Sequence, residues 1–340
     1  MRSSKDLVLA TRPYAQEQRW RSWWHLWSTV AILSGLSALA RTELPWLVRV
    51  PIGIVAGLVL VRMFILYHDQ QHGAILARSR VAAFVMQCFG LLFLNPPSVW
   101  KRSHDHHHHN NTKGFGQNVG SYPLMTTEAY AKASRWTRFK YLASRHPVLI
   151  FSGYLTVFFF GMTVVPFLAN ARRHFDAGVS LVIHFMLLGF MAYNEVDDLL
   201  LALILPFTVG SGLGAYLFYQ QHNCPGVQVK AGAEWDYASA ALYSSSYTRM
   251  SPLMHWFTGN IGYHHVHHLN SRIPFYRLPE AMAAIPELQS PTTISLRPRD
   301  VVACLRLKLW DAQRGELVPV PKDLESLKRP RAEEPAPMAA

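Results

Sequence analysis

Four clusters of histidine stand out in the chain: "HDQQHG" from His68, "HDHHHH" from His104, a single histidine in "YQQHN" at His222, and "HHVHH" from His264. Residues three and four apart share a helix face. That spacing turns His68 with His72, His104 with His107 and His108, and His264 with His267 and His268 into three groups of imidazoles. His222 brings the candidate ligands to nine. Neutral imidazole binds iron, copper, nickel and zinc alike. A zinc-type site takes about four ligands, so nine would overfill one ion and two metals are expected. Two other registers remain open, because His106 with His109 and His265 with His268 also lie three apart.

The elements that must position these side chains are membrane helices. Half of the 340 residues are hydrophobic and only 16% are charged, against about a quarter charged in soluble domains. Cys88, Cys224 and Cys304 are too few and too scattered for a disulfide framework, and no CxxC pair occurs. The start of the chain lacks the pattern of a cleaved signal peptide. About 20 apolar residues cross a bilayer. Residues 23–40 and 46–67 meet that length and are joined by "RTELP", which predicts a helical hairpin. Residues 81–95 are shorter and run into "PP", as expected of a half-inserted helix; 148–169 is the expected third span. Residues 180–194 are expected only to dip into the outer leaflet, and 199–219 to return as the fourth span.

Orientation follows the basic residues. Arg2, Lys5, Arg12, Arg19 and Arg21 precede the first span, and eight Lys and Arg lie between 98 and 148. The positive-inside bias puts both segments in the cytoplasm. The net charge of +12 is therefore read as attraction to anionic headgroups, with no nucleic-acid partner expected. "ARRHF" at 171–175 is an exception, since this topology puts it outside. All four histidine clusters then fall on the cytoplasmic face. With an apolar, membrane-embedded substrate, oxygen activation by two irons fits better than hydrolysis by zinc. Arg62 is expected to snorkel to the surface. His25, His184 and His255 are expected to be interfacial or core residues, and His146 an interface anchor. Asp69, Asp105, Asn260 and Asp236 could accept hydrogen bonds from metal-bound imidazoles.

The three boxes "HDQQHG", "HDHHHH" and "WFTGNIGYHHVHHLNSRIPFYRLPEAM" resemble those of the integral-membrane fatty acid desaturases, and the last most resembles the bacterial acyl-lipid omega-6 (delta-12) type. The resemblance covers about residues 45–310. It implies an oxygen-dependent di-iron enzyme of the bacterial inner membrane that puts a cis double bond into a fatty acyl chain. Its ligands would be His68, His72, His104, His107, His108, His264, His267 and His268, with His222 matching an additional histidine of the family. The substrate would be an acyl lipid or acyl thioester. No HPGG-type haem motif occurs, so electrons are expected from a separate ferredoxin-like or cytochrome-type donor. A hydroxylase or ketolase on the same scaffold would share these boxes. A histidine-rich metal transporter would instead place ionisable ligands at mid-membrane.

The expected fold is all-α and membrane-integral, with about four spans under a cytoplasmic helical cap. Residues 1–22 form an N-terminal cytoplasmic segment, 23–318 one functional domain, and 319–340 a disordered tail. Residues 301–318 are expected to form an amphipathic helix on the membrane surface.

Overall fold

The structure, a computed structural model, describes residues 2–109, 122–229, 235–321 and 323. The side chains of residues 105, 106, 108 and 109 fall outside that description, as does most of the tail expected at 319–340.

Among the described residues seven helices matter for positioning the histidines: α1 (Arg19–Ala40), α2 (Trp46–Gln71), α3 (Arg80–Leu92), α4 (Pro97–His109), α5 (Tyr154–Ala169), α6 (Phe175–Asn194) and α7 (Val196–Gln220). Among the described residues α2, α6 and α7 are each long and apolar enough to cross a membrane, and α3 with α4 would make a fourth span if the bent pair counted as one. The hairpin of α1 and α2 forms as the sequence predicts, with Pro45 starting α2 after the Arg41 cap. At the end remote from the histidines, Arg49 of α2 pairs with Asp198 at 2.7 Å and the Trp46 indole donates to Asp197 at 2.8 Å. This fastens the α1–α2 turn to the acidic turn before α7. Higher up, α2 and α7 touch backbone to backbone. A Cβ on Gly57 would lie 2.8 Å from the Pro206 carbonyl oxygen, so only glycine allows the helices this close.

Two expectations about spans change places. Residues 180–194, expected only to dip, belong to a continuous 20-residue helix, Phe175–Asn194. The segment at 148–169, expected to cross, is broken: Pro147–Phe151 is a short helix, and Tyr154–Val164 winds as a π-helix before Val165–Ala169. Gly153 abuts Ser211 and Ala215 of α7, while Phe167 packs on Gly178 near the start of α6. Both ends of α5 therefore stay in the half of the molecule nearer the histidines. Bringing His222 back to the histidine end takes one span and one dip here, and hydropathy does not distinguish them. Tertiary contacts decide it: Asp176 and His174, at the head of α6, clasp Ser98 at the start of α4. "ARRHF" consequently sits at the histidine end, and its charge exception disappears.

The α3–α4 pair bends by 93°. Pro96 and Pro97 cannot continue α3, and Leu94 takes a positive φ of 55°. Tyr67 of α2 braces the bend by donating to the Asn95 carbonyl at 3.1 Å.

The cap is not purely helical. Strand β1 (Met125–Thr126) pairs in parallel with β4 (Leu309–Asp311), which pairs antiparallel with β5 (Glu316–Val318); β2 (Tyr247–Arg249) pairs in parallel with β3 (Thr293–Ser295). The surface helix expected over 301–318 thus stops at Arg306 and becomes a β-hairpin. Asp311 accepts from the Gln313 and Arg314 amides, and Gly315 takes a φ of 65°, which closes the turn. The N-terminal residues weave into this cap: Tyr276 binds Gln18, Arg277 binds the Pro13 and Gln16 carbonyls, and Asn270 binds Thr11.

Candidate metal centre

His68 lies in the last turn of α2, and His72 caps it. Gly73 follows with a φ of 69°, the left-handed conformation that stops a helix, so the glycine of "HDQQHG" sets where the histidine pair ends. α4 carries His104 and His107 one turn apart. His222 lies two residues beyond α7. The short helix His264–Leu269 carries the last group. It enters after a turn in which Gly259 has a φ of 51° and a Cβ there would lie 2.8 Å from Ile65 of α2.

Eight of the nine expected histidines assemble into two quartets, His68, His72, His104 and His267 in one, His107, His222, His264 and His268 in the other; within each, the four candidate ligand atoms lie within 4.8 Å of one another. The His108 side chain lies outside the described residues. α4 and the His264–Leu269 helix each divide their histidines between the quartets, so residues expected to share one helix face serve two different quartets. Across that divide the His104 and His107 rings are 5.9 Å apart, and those of His264 and His267 5.8 Å. His265 joins neither quartet. It is fully buried and donates from Nε2 to the Leu288 carbonyl at 3.1 Å, which removes the alternative register for this helix. The alternative His106 with His109 lies outside the described side chains.

In the second quartet the Nε2 atoms face each other: His222 is 3.1 Å from His107, 3.0 Å from His264 and 3.1 Å from His268, and His264 is 3.0 Å from His268. Nitrogens that share one ion about 2.0–2.1 Å away must stand roughly 3 Å apart, and these do. The His222 Nδ1–H donates to the Ser244 carbonyl at 2.8 Å, so its Nε2 presents a lone pair to the group. Four imidazole nitrogens converging on one point, one of them fixed as a lone pair, suit a cation among them, and the residues present fit a metal. In the first quartet Asp69 takes the Nδ1–H of His68 at 3.0 Å, and its other oxygen accepts the Phe275 amide at 2.7 Å.

Burial lowers the affinity of these imidazoles for protons. His264, His267 and His268 are held well below the usual 6.5, by desolvation first and neighbouring histidines second. Burial takes His72 and His222 down to about 4. The reference value of 6.5 therefore overstates how readily acid competes with a metal here.

Of the expected supporting acceptors, Asp69 alone is seen on a quartet histidine. The Asn260 amide donates to the Phe275 carbonyl, Asp236 caps the helix Tyr237–Tyr243, and the Asp105 side chain is outside the described residues. The Ser244 carbonyl was not foreseen, because a backbone group leaves no mark in the sequence. Trp100, stacked on His104 at 4.2 Å, was foreseeable from its place four residues earlier. Arg62 does not snorkel. It is 2% exposed and bonded to Thr29 (3.1 Å), His25 (2.9 Å) and the Trp256 carbonyl (2.5 Å), with Trp256 stacked against it. Its donors find partners inside, so nothing draws the side chain to the surface. His184 bonds Tyr154, and His255 stacks on Tyr247.

Beside the first quartet lies a cavity of about 460 Å³, walled by Val61, Phe64, Phe93, Phe158, Met162 and Phe218 and reaching His104. Its size and apolar walls suit a hydrocarbon ligand.

The fatty acid desaturase family matches residues 44–298 of the sequence. The chain belongs to that family. Among its relatives, a fatty acid desaturase of Bacillus subtilis is 29% identical over 92% of this chain and 90% of its own length. An sn-1 oleoyl-lipid 12-desaturase of Anabaena variabilis is 22% identical over 83% and 81%. An sn-2 acyl-lipid omega-3 desaturase (ferredoxin), chloroplastic, of Helianthus annuus is 26% identical over 78% and 61%. This desaturase is an oxidoreductase acting on lipid acyl chains, with two histidine quartets able to hold metal ions beside an apolar cavity.

Proposed function

We propose that the two quartets hold two iron ions, and that this desaturase uses O2 and two electrons to put a cis double bond into an acyl chain of a membrane lipid. The observation that carries the reading is the convergence of four imidazole nitrogens at 3.0–3.1 Å in the second quartet, next to a matching first quartet. The ligands are His68, His72, His104 and His267 on one ion and His107, His222, His264 and His268 on the other; the spacing in the sequence adds His108 as a ninth. When bound, the irons supply activation of O2 toward an unreactive C–H bond.

The rest is the work of the chain. Asp69 and the Ser244 carbonyl hold His68 and His222 in the tautomer that offers Nε2. The apolar walls exclude water and restrict the acyl chain, so one pair of methylenes is held near His104. α2, α6 and α7 are spans, and α1, the other arm of the α1–α2 hairpin, is the fourth in place of the bent α3–α4 pair; the four run alternately between the distal turns and the histidine end. Residues 23–318 form the functional domain, between a cytoplasmic segment at 1–22 and a tail at 319–340. The histidine end faces the cytoplasm of a bacterial inner membrane, where the basic segments also lie. Electrons come from a separate carrier, ferredoxin-like or cytochrome-type; the name of the Helianthus annuus relative supports the former.

The test is expression in a bacterium that makes only saturated and monounsaturated chains, with fatty acids measured by gas chromatography and mass spectrometry beside His267→Ala. The reading expects a product two hydrogens lighter than its precursor, absent in the variant, and iron in the purified protein. A product one oxygen heavier would make it a hydroxylase, and retention of activity after iron removal would overturn the metal assignment.

A further inference from the structure

A second cavity, about 510 Å³, adjoins the first and is lined by Gln71, Pro97, Ser98, Lys101, Arg102 and Arg173. Arg102 belongs to both cavities. One leads to His104 between aromatic walls; the other ends among three exposed cations. An apolar chain suits the first and an anionic head the second. Arg173 comes from "ARRHF", the basic stretch that the sequence placed on the face away from the histidines and that the Ser98 contacts bring to the histidine end.

The arrangement is built from distant parts of the chain. Ser98 donates to Asp176 through its amide at 2.9 Å and its hydroxyl at 2.5 Å, and the same hydroxyl lies 2.8 Å from His174 Nδ1. This clasp fixes the turn carrying Arg173 against the helix carrying Lys101 and Arg102. It also engages Asp176, the carboxylate of that turn. The depth is informative as well. Gln71 ends α2, Pro97 begins α4, and Arg173 stands two residues before α6. These are helix termini, where a bilayer has its headgroups.

We propose that Lys101, Arg102 and Arg173 form a phosphate-binding subsite that selects acyl chains carried on membrane glycerophospholipids. The inference rests on the lipid-desaturase reading and names the carrier of its substrate. A phosphodiester gives the guanidinium groups paired oxygens to bind. A neutral glycolipid with the same acyl chains offers none. Coenzyme A thioesters also bear phosphate, but they approach from water, whereas this mouth lies at the level of lipid phosphates.

The experiment uses the full-length, iron-loaded protein in vesicles, with saturating electron donor. Three substrates with identical acyl chains are compared: phosphatidylglycerol, a neutral monoglucosyl diacylglycerol, and the acyl-coenzyme A. Wild type is expected to favour phosphatidylglycerol in kcat/KM, and the preference should shrink as salt rises. Removing a basic residue near a lipid surface weakens attraction about fivefold. Arg173→Ala should reduce the phospholipid-to-glycolipid ratio by about that factor, and Lys101→Ala/Arg173→Ala by about 25-fold. Arg173→Glu should reduce it further, and iron content checks that each variant is folded. Equal use of both lipids by wild type, or a ratio unmoved by the substitutions, overturns the proposal. So does preference for the coenzyme A thioester. A raised half-saturation for the electron donor, with the lipid ratio intact, would make the patch a donor-docking surface instead. Absence of product from every substrate would count against the desaturase reading itself, a separate outcome.

Discussion

Replacing Asp69 with Asn separates two duties of one buried carboxylate. Asp69 is 1% exposed and accepts two hydrogen bonds, from His68 Nδ1 at 3.0 Å and from the Phe275 amide at 2.7 Å. The backbone amide cannot move away, so the single oxygen of Asn turns to Phe275 and its NH2 faces His68. The imidazole must then accept at Nδ1 and carry its proton on Nε2, the nitrogen left for the quartet. Loss of such an orienting partner lowers metal affinity about 10- to 100-fold, or about 1.4–2.7 kcal/mol. Asp69→Ala removes both acceptors and leaves two buried donors unsatisfied, at about 1–3 kcal/mol each. Asn should therefore lose iron while remaining folded, and Ala should lose both iron and thermal stability. The assay is iron content after dialysis against graded chelator, with circular dichroism for folding and product yield for activity. If Asp69→Asn holds iron as tightly as wild type, the tautomer argument is wrong.

Three further outcomes follow from the same geometry. His267→Ala should abolish product and release iron, whereas His265→Ala should keep iron and cost about 1–3 kcal/mol of stability through the lost Leu288 contact; iron analysis of both variants distinguishes a quartet member from a core histidine. Gly214 lines the acyl cavity, and a Cβ there meets nothing within 4 Å. Gly214→Leu should thus fit without disturbing the backbone and shift use toward shorter chains, read from product chain lengths; an unchanged profile would place the acyl chain elsewhere. The iron-free protein should lose stability as pH falls from 6.5 toward 4, because the unfolded chain protonates His72 and His222 near 6.5 while the folded one resists until about 4. Denaturant midpoints measured across that window check the sign, and the iron-loaded protein should keep its metal below pH 6.5.

Much of the site was legible because a ligand set is a local property. Imidazole identity and spacing are written into "HDQQHG" and "HHVHH", and "RTELP" marks its hairpin through a proline and charges that cannot continue a buried helix. The segments at 148–169 and 180–194 were harder, since both are apolar and one of them had to turn back. Their roles depend on the Ser98–Asp176 clasp, which joins residues 78 positions apart. The β-hairpin after Arg306 was missed for a related reason: β4 is stabilised by pairing with Met125–Thr126, far away in the chain.

The sequence alone pointed to the kind of chemistry: nine candidate histidines at helical spacings and a membrane setting follow from residue types and short spacings, and eight of the nine stand in the quartets. Only the tertiary structure decided the division into two quartets, the burial of Arg62 and the meeting of Arg173 with Lys101 and Arg102 at the mouth of the cavity. Each of these joins side chains from separate helices, and composition and periodicity contain no information about how such helices dock.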